Sequence, residues 1–172
     1  MNGTATTTAE HAVHRTPLGD LTIVRDAGRL VGLYFPHHWY RPDQASFGRK
    51  NDRGFDDARR QLDEYLAGVR TTFDLPLDAR GDERQRRVWE LIAQVPYGQT
   101  TTYGDLARRL GGGVTAQETG AAVGRNPLSI LIPCHRIVGS TGKLTGYAGG
   151  LKRKRFLLDL EQAHAGHTPG LW

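Results

Sequence analysis

The sequence contains a single cysteine, Cys134, among 172 residues. One cysteine cannot form a disulfide within the chain, and it cannot build a zinc site from several thiolates. The fold must therefore be stabilised by its hydrophobic core. The thiol itself is either an inert small apolar group or a reactive one, and composition alone favours the inert alternative.

Long apolar runs are also missing. None reaches the length of a membrane span, and the polar first ten residues lack the apolar stretch of a signal peptide. We therefore expect a cytoplasmic protein without a membrane partner. The chain is long enough for one domain or two small ones, and its 38% hydrophobic and 24% charged residues are ordinary for a globular protein.

Acidic residues are scarce in the second half of the chain. Residues 1–80 carry 11 Lys and Arg against 11 Asp and Glu, whereas residues 81–172 carry 12 against 7, which accounts for the net charge of +5. A basic half beside a neutral half is typical of a polyanion-binding protein. An ordinary basic surface gives the same count, so charge suggests nucleic acid without establishing it.

The first half predicts a small antiparallel sheet followed by a helix. Three short β-type runs are separated by turn residues: 13–15, 21–25 and 30–35. We expect an irregular surface loop over residues 41–54 and a further strand at 72–77. Between them, helical spacing joins the following apolar residues: Phe55, Ala58, Leu62, Tyr65, Leu66 and Val69.

A charged stretch at residues 78–82 predicts a linker. It divides the chain into an N-terminal α+β domain, residues 1–80, and a mainly helical domain, residues 81–163, with a disordered tail at 164–172. The apolar stripe of the first helix of the second domain consists of Val88, Leu91, Ile92 and Val95, and the last helix is expected over residues 151–163.

Two short helices with a glycine turn between them follow in the second half. The first covers residues 103–110, and three glycines at 111–113 break it. The second begins with a predicted capping box formed by Thr115 and Glu118. This pattern predicts a helix-turn-helix, although many helical hairpins share it.

Cys134 lies between Pro133 and His135, directly after an apolar run. A thiol is only a few per cent ionised at neutral pH, and a nearby imidazole that takes its proton would increase its nucleophilicity. Neighbouring side chains on a strand point to opposite faces, so direct contact with His135 requires a turn or a bridging water.

Glu161 lies on the apolar face of the predicted last helix. Burying a carboxylate is costly unless something binds it. Either Glu161 is buried against His135, which gives a Cys–His–Glu relay, or it is exposed at the helix end and paired with a nearby lysine or arginine. Periodicity does not separate these alternatives.

Together these segments resemble the O6-alkylguanine-DNA alkyltransferases over nearly all of residues 85–161, while the first half matches only in outline. The resemblance rests on the motifs Asn126-Pro127, Ile130-Leu131-Ile132-Pro133-Cys134-His135-Arg136, Gly146-Tyr147-Ala148-Gly149-Gly150-Leu151, Val88-Trp89, Val95-Pro96-Tyr97-Gly98, Thr102-Tyr103 and Glu161. It implies an α+β fold with an RNase-H-like N-terminal domain and a winged-helix-like C-terminal domain that carries the helix-turn-helix.

The resemblance also implies direct-reversal repair. An alkyl group, typically methyl, moves irreversibly from O6 of guanine in double-stranded DNA to Cys134, once per molecule and without a cofactor or metal. His135 is then the base acting through water, and Glu161 orients it. Asn126 holds the active-site turn, and Tyr103 turns the phosphate of the extruded nucleotide and helps to protonate the leaving guanine.

Because the O6 substituent is out of reach inside a stacked duplex, the base must be flipped into a pocket. The resemblance implies that the Ala148 amide faces the alkylated oxygen. The expected pocket residues are Tyr147, Ala148, Gly149 and Ser129. The expected DNA-binding residues are Gln117, Gly120, Ala121, Arg84, Arg125, Thr102 and Ser140.

The chain departs from the family pattern at three positions. Gln117 stands where the family usually has an arginine that fills the gap left by the flipped base, so we expect weaker DNA binding or slower flipping. Arg84 replaces a residue that is often apolar and could add a phosphate contact. Ala148 replaces the serine of some members, which leaves only a backbone donor there.

Two other functions are compatible with parts of the sequence. The first is a damage sensor that flips alkylguanine without repairing it, but such alkyltransferase-like proteins lack the acceptor cysteine. The second is a thiol enzyme with a small-molecule or protein substrate, which Gln117 and Glu118 would favour on the DNA-facing helix.

Overall fold

The computed structural model describes residues 8–165. The first half forms a four-stranded sheet in the order β3-β2-β1-β4. The predicted meander is confirmed, with antiparallel pairs β1–β2 and β2–β3, while β4 is parallel to β1. The strands are β1 Glu10–Thr16, β2 Gly19–Asp26, β3 Arg29–Tyr34 and β4 Arg49–Lys50.

Both faces of β2 are buried. Leu21 and Ile23 face the main core, whereas Val24 packs on the other face in a small cluster with Phe47. Phe47 ends a 3-10 turn, Gln44–Phe47. The prediction of an irregular loop over residues 41–54 was therefore wrong in part, because this segment covers the second face of the sheet and contributes β4.

The helix α1, Asp56–Leu66, packs against the first face of the sheet. Its predicted stripe is confirmed up to Leu66, but Val69 lies beyond the helix and is exposed. The predicted strand at 72–77 was wrong. Pro76 has no N–H to donate, and the segment makes only a bridge between Leu30 and Leu77.

The second half is mainly helical, as predicted. Its helices are α2 Glu83–Ala93, α3 Tyr103–Leu110, α4 Ala116–Gly124 and α5 Leu151–His164. Two short parallel strands, β5 Thr101–Thr102 and β6 Ile137–Val138, were not predicted. The last helix includes His164, and residues 166–172 of the expected tail lie outside the described residues.

Side-chain hydrogen bonds cap the first turns of helices in this half. Asp82 accepts a hydrogen bond from the Gln85 amide, and the Gln85 side chain accepts one from the Asp82 amide, which makes a full capping box. At α4, Thr115 accepts from the Glu118 amide. The Glu118 carboxylate, however, accepts from Arg84 at 2.9 Å, so the predicted capping box there is only half formed.

The two halves share one hydrophobic core. The Leu33 amide of β3 donates to the Pro127 carbonyl at 2.8 Å, which joins the edge of the sheet to the segment leading to Cys134. Within the described residues, no helix combines the length and the apolar character needed to cross a membrane.

Candidate active site

Cys134 opens a short 3-10 turn, Cys134–Arg136, that is buried throughout. The segment before it turns tightly, and Ile130 adopts φ +71°, a left-handed conformation that is strained for a β-branched residue. The turn means that Cys134 and His135 do not alternate across a strand. Their side chains are therefore not forced to opposite faces, as they would be on a strand.

Asn126 fixes the segment that leads into this turn. Its side-chain amide donates to the Ile132 carbonyl at 2.8 Å, and its side-chain oxygen accepts from the Leu128 amide at 3.0 Å. Because Asn126 is buried, these bonds are shielded from competing water. The side chain thus spans the loop, as the resemblance implied.

Glu161 is buried, at 1% exposure, and its carboxylate accepts five hydrogen bonds. The Nε2 atom of His135 lies 2.6 Å from Oε2, and Arg136 donates from Nε to Oε1 at 2.8 Å and from Nη2 to Oε2 at 3.0 Å. Tyr65 donates its hydroxyl at 2.5 Å, and the Gly98 amide donates at 3.1 Å. Glu161 therefore binds both His135 and an arginine while remaining buried.

These donors determine the charge of Glu161. Burial alone would raise the pKa of its carboxyl, but hydrogen bonds from His135 and Arg136, together with the charge of Arg136, lower the pKa to about 2. Because Arg136 supplies a full positive charge, Glu161 can stay ionised without a charged histidine. Like other buried ion pairs, the Glu161–Arg136 pair needs additional hydrogen-bond donors.

Tyr65 and Arg136 are site residues that sequence reasoning missed. Tyr65 was identified only as part of the apolar stripe of α1, yet a buried tyrosine hydroxyl usually needs a partner. A tyrosine on a buried stripe was therefore the feature of the sequence that could have indicated a polar partner in the core. Arg136 lies next to His135 in the motif, and its guanidinium also donates to the Val95 carbonyl at 2.7 Å.

His135 is fully buried, and this burial lowers its pKa. The imidazole is therefore neutral near pH 7. Since Nε2 faces a carboxylate, the proton resides on Nε2, and Nδ1 carries the lone pair. Among the described residues, Nδ1 has no hydrogen-bond partner, so it can accept a proton.

Burial raises the pKa of the Cys134 thiol, although Asn126 and the charge of Lys154 act in the opposite direction. The resting sulfur is thus a neutral thiol that needs a base. Lys154, which sequence reasoning also missed, is buried and donates to the carbonyls of Ile137, Thr145 and Gly146 at 2.6, 3.0 and 3.1 Å. Burial lowers the pKa of Lys154 to about 8.

A pocket of about 60 Å³ opens beside Cys134. The Tyr103 hydroxyl donates to the Thr145 carbonyl at 3.1 Å, which ties the start of α3 to the glycine-rich loop. The residues that line the pocket are Trp39, Tyr103, Gly120, Val123, Gly124, Cys134, Gly146, Tyr147 and Ala148. Trp39 was not predicted, because it belongs to an irregular segment of the first half.

Two expected pocket residues, Gly149 and Ser129, are not among the residues that line this pocket. A Cβ atom at Gly149 would come within 2.4 Å of the Phe35 ring, so this position requires glycine for close packing. Ser129 is fully buried in the turn before Cys134. Tyr147 and Ala148 line the pocket directly, and Tyr147 packs edge-on against Phe35.

The expected DNA-binding residues on α4 form part of its exposed surface. Gln117 and Ala121 are exposed, and Gly120 is half-buried beside Tyr103. Arg84, on α2, is exposed but bonded to Glu118, so its charge is compensated within the protein. The negative charge of Glu118 on α4 is compensated by the same ion pair.

The remaining expected DNA-binding residues differ in their surroundings. The Arg125 guanidinium lies 3.8 Å from the centre of the Tyr40 ring. The Thr102 hydroxyl caps α3 by accepting from the Asp105 amide. Ser140 is exposed in the loop after β6. Arg125 and Thr102 therefore already have protein partners.

Two family models match the chain. One describes the ribonuclease-like domain of 6-O-methylguanine DNA methyltransferase and matches residues 10–79. The other describes the DNA-binding domain of 6-O-methylguanine DNA methyltransferase and matches residues 83–163. Together they cover most of the chain.

Individual relatives agree. A methylated-DNA–protein-cysteine methyltransferase of Mycolicibacterium paratuberculosis is 43% identical over 156 residues, which are 91% of this chain and 94% of the relative. A methylated-DNA–protein-cysteine methyltransferase of Methanosarcina acetivorans is 38% identical over 88% of this chain and 97% of the relative. The crystal structure of Mycobacterium tuberculosis OGT in complex with DNA is similar with a TM-score of 0.84 and 39% identity, over 90% of this chain and 94% of that one.

The low pKa of Glu161 predicts a pH-dependent contribution to stability. Since the folded-state pKa of about 2 lies below the ordinary value of 4.5, the contribution is full above about pH 5 and is lost as the pH falls towards 2. This difference corresponds to about 3 kcal/mol. We expect Glu161→Gln to lower the free energy of unfolding by about 2 kcal/mol more at pH 7 than at pH 3.

Urea unfolding at both pH values measures this effect. Glu90→Gln, at an exposed position of α2, is the matched control and should change the free energy of unfolding by less than about 0.5 kcal/mol at either pH. An effect of Glu161→Gln that is equal at pH 7 and pH 3 would show that ionisation of this carboxyl does not stabilise the fold.

Proposed function

Because this chain belongs to the 6-O-methylguanine DNA methyltransferase family, we propose that Cys134 is its alkyl acceptor and that a Cys134–His135–Glu161 relay activates it. The family activity is direct-reversal DNA repair, in which an alkyl group moves from O6 of guanine to a cysteine. The observation that carries the proposal is the neutral His135, which follows Cys134 in one buried turn and has its Nε2 on Glu161 and its Nδ1 able to accept a proton.

The transfer proceeds as a displacement at the alkyl carbon. A water between Sγ and Nδ1 carries the thiol proton to His135, and the resulting imidazolium is stabilised by Glu161. The sulfur forms a bond to the alkyl carbon as the carbon–O6 bond breaks. The electron pair of the broken bond stays on O6 of guanine. Guanine gains one proton, so the net exchange is the thiol proton for the alkyl group. The thioether has no route back to thiol, and each molecule acts once.

The pocket residues orient the flipped guanine. Tyr103 stands at the pocket wall and keeps its proton, because burial raises the pKa of its hydroxyl. When its bond to the Thr145 carbonyl is exchanged for one to the substrate, it can donate towards the leaving guanine and turn the adjacent phosphate. The Ala148 amide faces the alkylated oxygen, while Asn126 keeps the turn that carries Cys134 in place.

The helices α3 and α4 act as the helix-turn-helix of a winged-helix-like domain, and α4 contacts DNA. Small residues at Gly120 and Ala121 permit close approach to the duplex. We assign residues 1–80 to the RNase-H-like domain and 81–163 to the DNA-binding and catalytic domain. Gln117 takes the place of the arginine that fills the gap in the duplex, and Glu118 is screened by Arg84.

Intact mass spectrometry tests the activity. Incubation with a duplex containing O6-methylguanine should add one methyl group per molecule, and free O6-benzylguanine should add one benzyl group. Cys134→Ser is the control and should gain neither, since a hydroxyl is a far weaker nucleophile than a thiolate. No mass gain from either substrate would refute the proposal, and transfer from the free base alone would indicate a small-molecule thiol enzyme.

Restoring the missing arginine tests the role of α4. Gln117→Arg should tighten binding to duplex DNA several-fold and steepen the dependence of log affinity on log salt by about one, the contribution of one added positive charge close to the phosphates. Fluorescence anisotropy across a salt series gives both values. Gln162→Arg adds the same charge at an exposed site on α5 and should have a smaller effect. Equal effects of the two variants would mean that α4 is not the DNA-facing helix.

A further inference from the structure

The segment 36–42 reaches from the first half of the chain to the mouth of the Cys134 pocket. The Trp39 amide donates to the Ala148 carbonyl at 3.0 Å, so the backbone is attached to the pocket loop. The indole lines the pocket together with Cys134, and a Cβ atom at Gly146 would lie 3.6 Å from the ring. Trp39 is therefore part of the site although it lies far from the catalytic motif in sequence.

The neighbouring Tyr40 fixes this segment on its other side. Its backbone adopts φ +56°, which is uncommon outside glycine, and its ring lies under the Arg125 guanidinium at 3.8 Å. The backbone of Trp39 is thus held from both directions. Its indole is nevertheless 54% exposed, so little protein packing opposes a change of rotamer.

The open space beside Cys134 is narrow, about 60 Å³, which is room for a few water molecules. A bulky group that reaches the sulfur therefore presses on the walls of the pocket. Tyr147 is 4% exposed and packed on Phe35, and Tyr103 is bonded to Thr145, so the exposed indole is the aromatic wall that moves most easily.

We propose that Trp39 is a specificity-determining residue whose indole limits the size of the O6 substituent delivered to Cys134. The inference rests on the proposed function of this site. The substituent must point at the sulfur, and the indole lines the same pocket as that sulfur. A larger substituent therefore requires a larger displacement of the ring, and the cost of that displacement lowers its transfer rate relative to methyl.

Alkyl-transfer rate constants for two duplexes test this inference. The duplexes share one sequence and carry either O6-methylguanine or O6-benzylguanine, and intact mass follows the reaction. Trp39→Ala should raise the benzyl-to-methyl rate ratio about tenfold, the usual size of steric discrimination by an apolar pocket. Trp39→Phe, which keeps an aromatic wall, should raise the ratio less. Taking the ratio removes any change in the active fraction.

Phe156→Ala removes another exposed aromatic residue, one that lies on α5 outside this pocket, and should leave the ratio unchanged. A ratio in Trp39→Ala equal to or below the wild-type ratio would overturn the assignment of Trp39, with the proposed function intact. Absence of transfer from both duplexes in the wild-type protein would instead contradict the proposed function itself.

Discussion

The buried carboxylate of Glu161 imposes the strongest constraint on this structure. An ionised group without water must be matched by donors, because an unpaired buried charge costs far more than a fold of this size can offset. Five donors surround it, from Tyr65, Gly98, His135 and Arg136. They come from α1, from the loop before β5, and from the turn that begins with Cys134. One side chain on α5 thus assembles segments from both halves of the chain.

This arrangement links the fold to the chemistry. Burial lowers the pKa of His135 and leaves it neutral, and the positive charge of Arg136 acts in the same direction. Burial also raises the pKa of the Cys134 thiol. The resting site therefore keeps both the thiol and the base uncharged within the apolar core. Charge develops only as the proton leaves sulfur, when Glu161 can stabilise the imidazolium. Asn126 and Lys154 hold the two loops on either side, so the reacting groups are in place before substrate arrives.

Much of this organisation could be predicted from the sequence, because it depends on local pattern. The bounds of α3 and the position of Glu161 on an apolar stripe follow from helical spacing, and Cys134 stands out through its neighbours. Spacing alone did not decide whether Glu161 is buried or exposed. Contacts between distant segments could not be predicted in this way. Tyr65 meets Glu161 across 96 residues, and Arg84 meets Glu118 across 34. Trp39 reaches the pocket from a segment without periodicity, and Pro76 limits a β-type run to one bridge.

The protonation state of His135 tests the central claim most directly. In ¹⁵N NMR spectra of the protein labelled at histidine, with His135→Gln to assign the signal, the imidazole should be neutral at pH 7 and at pH 8. Its Nε2 should carry the proton that faces Glu161, and its Nδ1 should show the shift of an unprotonated nitrogen. A doubly protonated ring at pH 7, or a proton on Nδ1, would contradict the account, because His135 could then not accept the proton of Cys134.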